Sequence, residues 1–319
     1  MMAPTDIAML VLHVISLVAG LMGHMFILKV CFFEKIHGSH DLSPSDLILS
    51  SLASSDIGLQ CVFFVSEIRR FFFVELLSLD NAWNGFRFTL LCLRCCSLWF
   101  TTWFCLYCLV KIVIFTNPFL VRFVKIFLEN VRWLLLITVL VSLATCLPLV
   151  VPLDFHPGAS VLANTSISTQ LNASLKVSMM NVNRTTFSKK AFLAYSLNTL
   201  FNFAIFLFSA VAILITLCRH MKRMEQSANG FRRPSLGAIS GAVKTITALL
   251  ILYSVSFLAM IIIFYYDSST SSPLIVTCIL IFSYYPALTC MILILRVSRM
   301  KKTLTGICSL AACRSGEET

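Results

Sequence analysis

Charge is scarce in this sequence. Only 12% of its 319 residues are charged, while 58% are hydrophobic. A soluble globular domain carries about 25% charged residues. A water-soluble fold of this size needs a polar surface that the chain cannot supply. Acids are scarcer than bases: 14 Asp plus Glu stand against 25 Lys plus Arg, for a net charge of +11. That excess does not point to nucleic acid. The basic residues lie at the ends of long apolar runs, where they set topology and face anionic lipid.

Other absences narrow the class further. None of the 13 cysteines falls in the long polar segment 151–189. An extracellular disulfide framework is therefore not expected, and most cysteines read as small apolar filler. There is no H-E-x-x-H zinc motif, nucleophile elbow or P-loop, and no two histidines have a convincing metal spacing, so an enzyme reading is poor. No cofactor is implied. The first apolar run has an acidic start and is too long for a signal h-region, so it reads as a retained spanning helix.

What is present is hydrophobic length. A membrane-spanning helix needs about 20 mostly apolar residues. Seven stretches qualify, at residues 7–33, 47–65, 86–115, 131–151, 192–218, 239–266 and 273–295. The second and third are the weakest, because Asp56 and Arg94 interrupt them. No soluble domain, repeat or low-complexity linker accompanies them. The expected fold is all-α, one seven-transmembrane helix bundle, with a loop at 152–189 and a tail at 296–319.

Two signals orient the bundle. Asn164, Asn172 and Asn183 each begin an N-glycosylation sequon, all within the longest polar segment, which places that loop outside. With the loop outside, the inner side carries seventeen Lys and Arg and the outer side seven, as the positive-inside rule requires. An odd number of spans then puts the N-terminus outside and the C-terminus in the cytoplasm.

Seven helices in this orientation suggest a G protein-coupled receptor. No lysine lies between Asp267 and Arg296, which argues against a retinal pump and its Schiff base. A transporter often has related halves and broken helices at matching positions, and no such repeat is visible.

Polar residues inside spans mark candidate sites. Asp56 reads as part of an interior network with Ser54, Ser55 and neighbouring helices, or as a residue near a membrane face. Arg94 reads as a pocket residue contacting a ligand acceptor, or as a side chain snorkelling to outer headgroups. Glu67 faces the same cavity, attracting a cation or pairing with Arg94, or is a solvated rim residue. His24 is placed to hydrogen bond across the bundle. Pro286 favours a kink in the last span. Lys111, Arg219, His220, Lys222, Arg223, Lys244 and Arg296 frame an inner basic cleft suited to a G protein helix, or are topogenic charge touching lipid.

Three segments carry a more specific likeness. The third span has Leu98-Trp99-Phe100-Thr101-Thr102, then Leu106-Tyr107-Cys108-Leu109-Val110-Lys111-Ile112, with Asn117-Pro118 following. The fifth-to-sixth join carries His220, Met224, Arg233-Pro234-Ser235, Ala242, Lys244-Thr245 and Leu252-Tyr253. The last span has Tyr285-Pro286, then Ile292-Leu293-Ile294-Leu295. Over nearly its whole length the chain resembles the type 2 taste receptors, the bitter receptors. The segment Ser45-Asp46-Leu47-Ile48-Leu49 is similar to the second span of type 1 vomeronasal receptors, which, like this chain, lack the DRY and NPxxY signatures.

The bitter receptor resemblance implies a small-molecule bitter agonist, a gustducin-like Gi-class heterotrimeric G protein, phospholipase C signalling and residence in the plasma membrane. It also implies a pocket reached from outside, between the second, third, fifth, sixth and seventh spans. The candidate ligand contacts are Glu67, Leu90, Arg94, Ser97, Tyr253, Ser256 and Ile279. Several pocket positions depart from the family pattern. Its usual arginine falls near Asp56, its asparagine of the third span on Arg94, and its histidine-serine pair on Thr289-Cys290. Its glycine-asparagine of the first span falls on Gly23-His24, a second-span aromatic near Glu67, and a sixth-span tyrosine on Ser256. Ligands of better-matched members do not transfer.

Overall fold

Proline punctuates the chain as a helix starter. In a computed structural model, eight α-helices are described, and five of them begin on proline. They are α1 (Pro4–His37), α2 (Pro44–Phe72), α3 (Asp80–Ile112), α4 (Pro118–Glu129), α5 (Val131–Val150), α6 (Thr169–Gln226), α7 (Pro234–Tyr265) and α8 (Pro273–Arg296). At the first helical position the missing proline N–H would have no intrahelical partner, and the fixed φ suits the helix. The start of α2 is also capped. Ser43 Oγ accepts from the backbone N–H of Asp46 at 3.3 Å and donates to the Asp46 carboxylate at 2.5 Å, an acidic relative of the Ser-x-x-Glu capping box.

The structure describes residues 4–37, 43–72, 80–113, 118–150, 169–226, 234–265, 273–296, 300 and 303–306, with side chains mainly over the apolar stretches. Asn164 and most of the tail lie outside the described residues, as do the side chains of Glu67, Asn172, Asn183 and Arg296.

Seven of the helices are long and apolar enough to cross a membrane. The chain is a multi-pass, all-α bundle, as its hydrophobic runs predict. Two features differ from the sequence expectation. The connection after the third span contains α4, a helix of 12 residues, opened by Pro118 and too short to span. And α6 begins at Thr169, so Asn172 and Asn183 fall on helix rather than in an irregular loop.

The bundle is organised around α3. It packs against α2, α5 and α6, while α1 packs against α2 and α8, and α7 against α6 and α8. Large apolar side chains cover the periphery: Met22 and Phe208 are each 70% exposed and Trp133 65%. Lipid is the solvent such a surface requires. Close approach of α1 to α8 depends on Gly23, where an added Cβ would meet Cys290 Sγ at 2.5 Å. Small residues let helix backbones approach in this way inside bilayers.

Candidate functional site, a buried polar network across the bundle

α3 is largely apolar, but its inward face carries Arg94, Ser97, Thr101 and Thr102 at helical spacing, and all four are buried. Each reaches another helix. Arg94 Nη2 donates to Ser256 Oγ on α7. Its guanidinium lies 4.3 Å from the Phe282 ring centroid and 4.1 Å from that of Tyr285, both on α8. Arg94 therefore ties α3 to α7 and α8 at one level. Its Nε and Nη1 have no hydrogen-bond partner among the described residues. The two ring faces supply part of the missing stabilisation, since a desolvated cation–π contact is worth about 2 kcal/mol.

One turn further along α3, Ser97 Oγ donates to Asp56 Oδ1 on α2 at 2.5 Å. Asp56 Oδ2 lies 3.7 Å from His24 Nε2 on α1, which is beyond hydrogen-bond range. The same His24 nitrogen is closer to the Pro286 carbonyl of α8, at 3.2 Å. A carbonyl only accepts, so His24 Nε2 carries the proton in that contact.

Deeper along α3, Tyr285 Oη donates to Thr101 Oγ1 at 3.4 Å, and Thr102 Oγ1 donates to Asn202 Oδ1 on α6. Asn198 Nδ2 of α6 donates to Cys95 Sγ at 3.2 Å. On the α5 side, Trp103 Nε1 donates to Thr138 Oγ1 at 2.9 Å. Tyr253 on α7 stacks on Phe206 of α6, with centroids 4.3 Å apart, and meets Tyr285 edge-on at 6.4 Å.

The sequence-derived candidates sort as follows. Arg94, Ser97, Tyr253 and Ser256 are buried; Arg94, Tyr253 and Ser256 meet where α3, α7 and α8 approach, while Ser97 turns to Asp56 on α2. Leu90 and Ile279 are half-buried. Arg94 points across the bundle rather than out to headgroups. Asp56 is fully buried, and its partner is Ser97. Ser54 is exposed, and Ser55 bonds the Leu52 carbonyl of its own helix at 2.8 Å. At the other end, Lys111 is exposed, with Nζ 5.8 Å from the Tyr107 centroid. Arg219, His220, Lys222, Arg223 and Lys244 are likewise exposed.

Sequence reasoning passed over Asn198, Asn202, Thr101 and Tyr285. A signal existed for the two asparagines. They stand four apart within the fifth apolar run, and polar groups at that spacing share one face, which in a membrane points inward. Among the described residues no group of three or more His, Cys, Asp or Glu forms a metal-holding cluster.

Comparison with known proteins matches residues 1–311 to the family described as taste receptor protein (TAS2R). Among the relatives, taste receptor type 2 member 40 of Gallus gallus is 29% identical over 93% of each chain. Taste receptor type 2 member 7 of Mus musculus is 26% identical over 98% of each. Member 39 of Papio hamadryas is 25% identical over 84% of this chain and 76% of its own.

Proposed function

The chain belongs to the TAS2R taste receptor family, and from that premise we propose that it is a bitter receptor. It binds small organic compounds from outside and activates a gustducin-like Gi-class G protein at the plasma membrane. The observation that carries this reading is the buried Arg94, held between Ser256 of α7 and the Phe282 and Tyr285 rings of α8. A ligand descending among α2, α3, α6, α7 and α8 meets a group that joins three of those helices. Exchanging Arg94 contacts for ligand contacts changes how α3 is coupled to α7 and α8.

The mechanism is a population shift. The ligand binds a state open on the inner side more tightly than the closed state, and the equilibrium moves by that difference in affinity. The inner ends of α6 and α7 separate, and the G protein docks against Lys111, Arg219, His220, Lys222, Arg223, Lys244 and Arg296. In this reading the N-terminus is extracellular, the C-terminus cytoplasmic, and Asn164, Asn172 and Asn183 are glycan acceptors. The pocket is mostly apolar, with Leu90, Ser97, Tyr253, Ser256 and Ile279 as further contacts. Glu67 and Arg94 set its charge preference.

The test is a panel of bitter compounds applied to cells that express the chain with a promiscuous G protein. Calcium release that requires the G protein supports the proposal; solute flux without any G protein supports a transporter instead. With an agonist in hand, Arg94→Ala and Glu67→Gln should shift the dose response at normal surface expression. Unchanged curves for both would remove these residues from the pocket.

A further inference from the structure

A second polar feature lies apart from the network and shares no residue with the candidate pocket. A small crevice, with room for about one water molecule, opens where α1, α2 and α8 meet. Its polar lining is His13, Ser16, Gln60 and Ser283, and its apolar lining is Leu17, Phe63 and Phe64. Ser283 Oγ lies 3.3 Å from His13 Nδ1, so those two groups engage each other. Gln60 is 4% exposed, and neither Nε2 nor Oε1 has a hydrogen-bond partner among the described residues. Its amide presses on Gly20 of α1, where an added Cβ would collide with it. An amide left unpaired inside a bilayer costs several kcal/mol.

We propose that this crevice is a binding site for the hydroxyl head of an uncharged alcohol whose apolar tail lies in the bilayer. The crevice contains no Asp, Glu, Lys or Arg, which selects against ionic headgroups. The Gln60 amide sets one of its two N–H donors beside its carbonyl acceptor. A single hydroxyl accepts from the first and donates to the second, and is then satisfied. A water molecule fits the same space and can turn its second O–H to the polar lining of His13, Ser16 and Ser283, so the apolar surface beside the crevice is what favours the alcohol.

The volume admits one oxygen-sized group, so the rest of the ligand must lie outside. Leu17, Phe63 and Phe64 are all partly exposed at the mouth, and Val14 and Val18 beside them are 38% and 50% exposed. An alkyl tail suits that surface. Gln60 is six residues from the end of its span at Ser66, a depth of about 9 Å at 1.5 Å per residue. The hydroxyl therefore sits below the headgroups, at a level where no bulk water competes for the amide. A membrane lipid with a hydroxyl head and an applied medium-chain alcohol share this chemistry.

The probe is 3-azioctanol, photolysed with the full chain in phosphatidylcholine nanodiscs, followed by peptide mapping. Adducts are expected at Leu17, Phe63 or Phe64. Octanol should suppress them and octyl methyl ether, which cannot donate, should not. Gln60→Leu keeps the volume and removes the unpaired amide, and labelling should fall roughly tenfold with the two hydrogen bonds. Should that variant fail to reach the membrane, Leu17→Trp crowds the mouth with the amide intact and should give the same loss. Mass spectrometry of the full chain taken directly from cell membranes, before reconstitution, identifies the bilayer as the source if a hydroxyl-headed lipid is bound to wild type and lost from Gln60→Leu; its absence, with labelling retained, identifies an applied solute. Labelling indifferent to both variants, equal competition by the ether, or an ordered water with no labelling overturns the proposal.

Discussion

α2 and α3 differ from α6 and α7 in a way that inverts the usual expectation for buried helices. In the spanning segments, mean hydropathy is 1.6 in α2 and 1.5 in α3, against 2.5 in α6 and 2.6 in α7. Yet 50% of the α2 segment and 61% of the α3 segment are buried, against 33% in each of the others. In water the buried helix is the apolar one. In lipid the exposed helix must be apolar, because every outward side chain faces hydrocarbon. Polarity is tolerated only where other helices supply partners. α8 departs from the trend, with hydropathy 2.2 and 56% buried. Its inward face is served by aromatic rings and by the carbonyl of Pro286 as much as by polar side chains.

Substitutions should therefore cost far more on α2 and α3 than on the lipid-facing surface. The largest effect is expected for Asp56→Leu. It removes the acceptor for Ser97 and leaves that buried hydroxyl without its cross-helix partner, a loss of up to about 3 kcal/mol. Thermal unfolding in detergent and surface expression should both fall sharply. Wild-type stability in that variant would break the contrast between the two pairs of helices.

Next is Gly23→Leu, where crowding against Cys290 forces α1 from α8. Overpacking of this kind costs about 1–3 kcal/mol, read as a lower unfolding midpoint. Gly85→Ala has nothing within 4 Å of the new Cβ, and should be neutral or slightly stabilising. Trp103→Phe keeps an aromatic ring but loses the Thr138 bond, an expected loss of about 1 kcal/mol by the same measurement. The smallest effect belongs to the lipid face. Phe208→Leu and Met22→Leu should stay within about 0.5 kcal/mol of wild type.

The seven spans were legible because bilayer thickness imposes a run length that no other environment demands. Span ends were less so. Hydropathy bounds the second span at 47–65, whereas the helix runs Pro44–Phe72, since helices continue past the hydrocarbon wherever their backbone bonds remain intact. α4 escaped notice because 12 residues are too few for the spanning signal. At the site, Asp56 and Arg94 announced themselves as charges inside apolar runs. Their partners did not. Ser97 and Ser256 are 41 and 162 residues away from the groups they bond, and hydroxyls are too common in spanning helices to stand out.

Sequence by itself determined that the chain has seven runs able to cross a membrane and that charge interrupts two of them. Those properties follow from the transfer of each segment between water and lipid, and transfer is local. Only the tertiary structure decided that Arg94 turns toward α7 and α8, that Asp56 rests on Ser97 with His24 beyond it, and that Gln60 stands unpaired against Gly20. Those depend on the rotation and contact of helices far apart in the chain, and hydropathy, being summed along one helix at a time, contains no information about rotation.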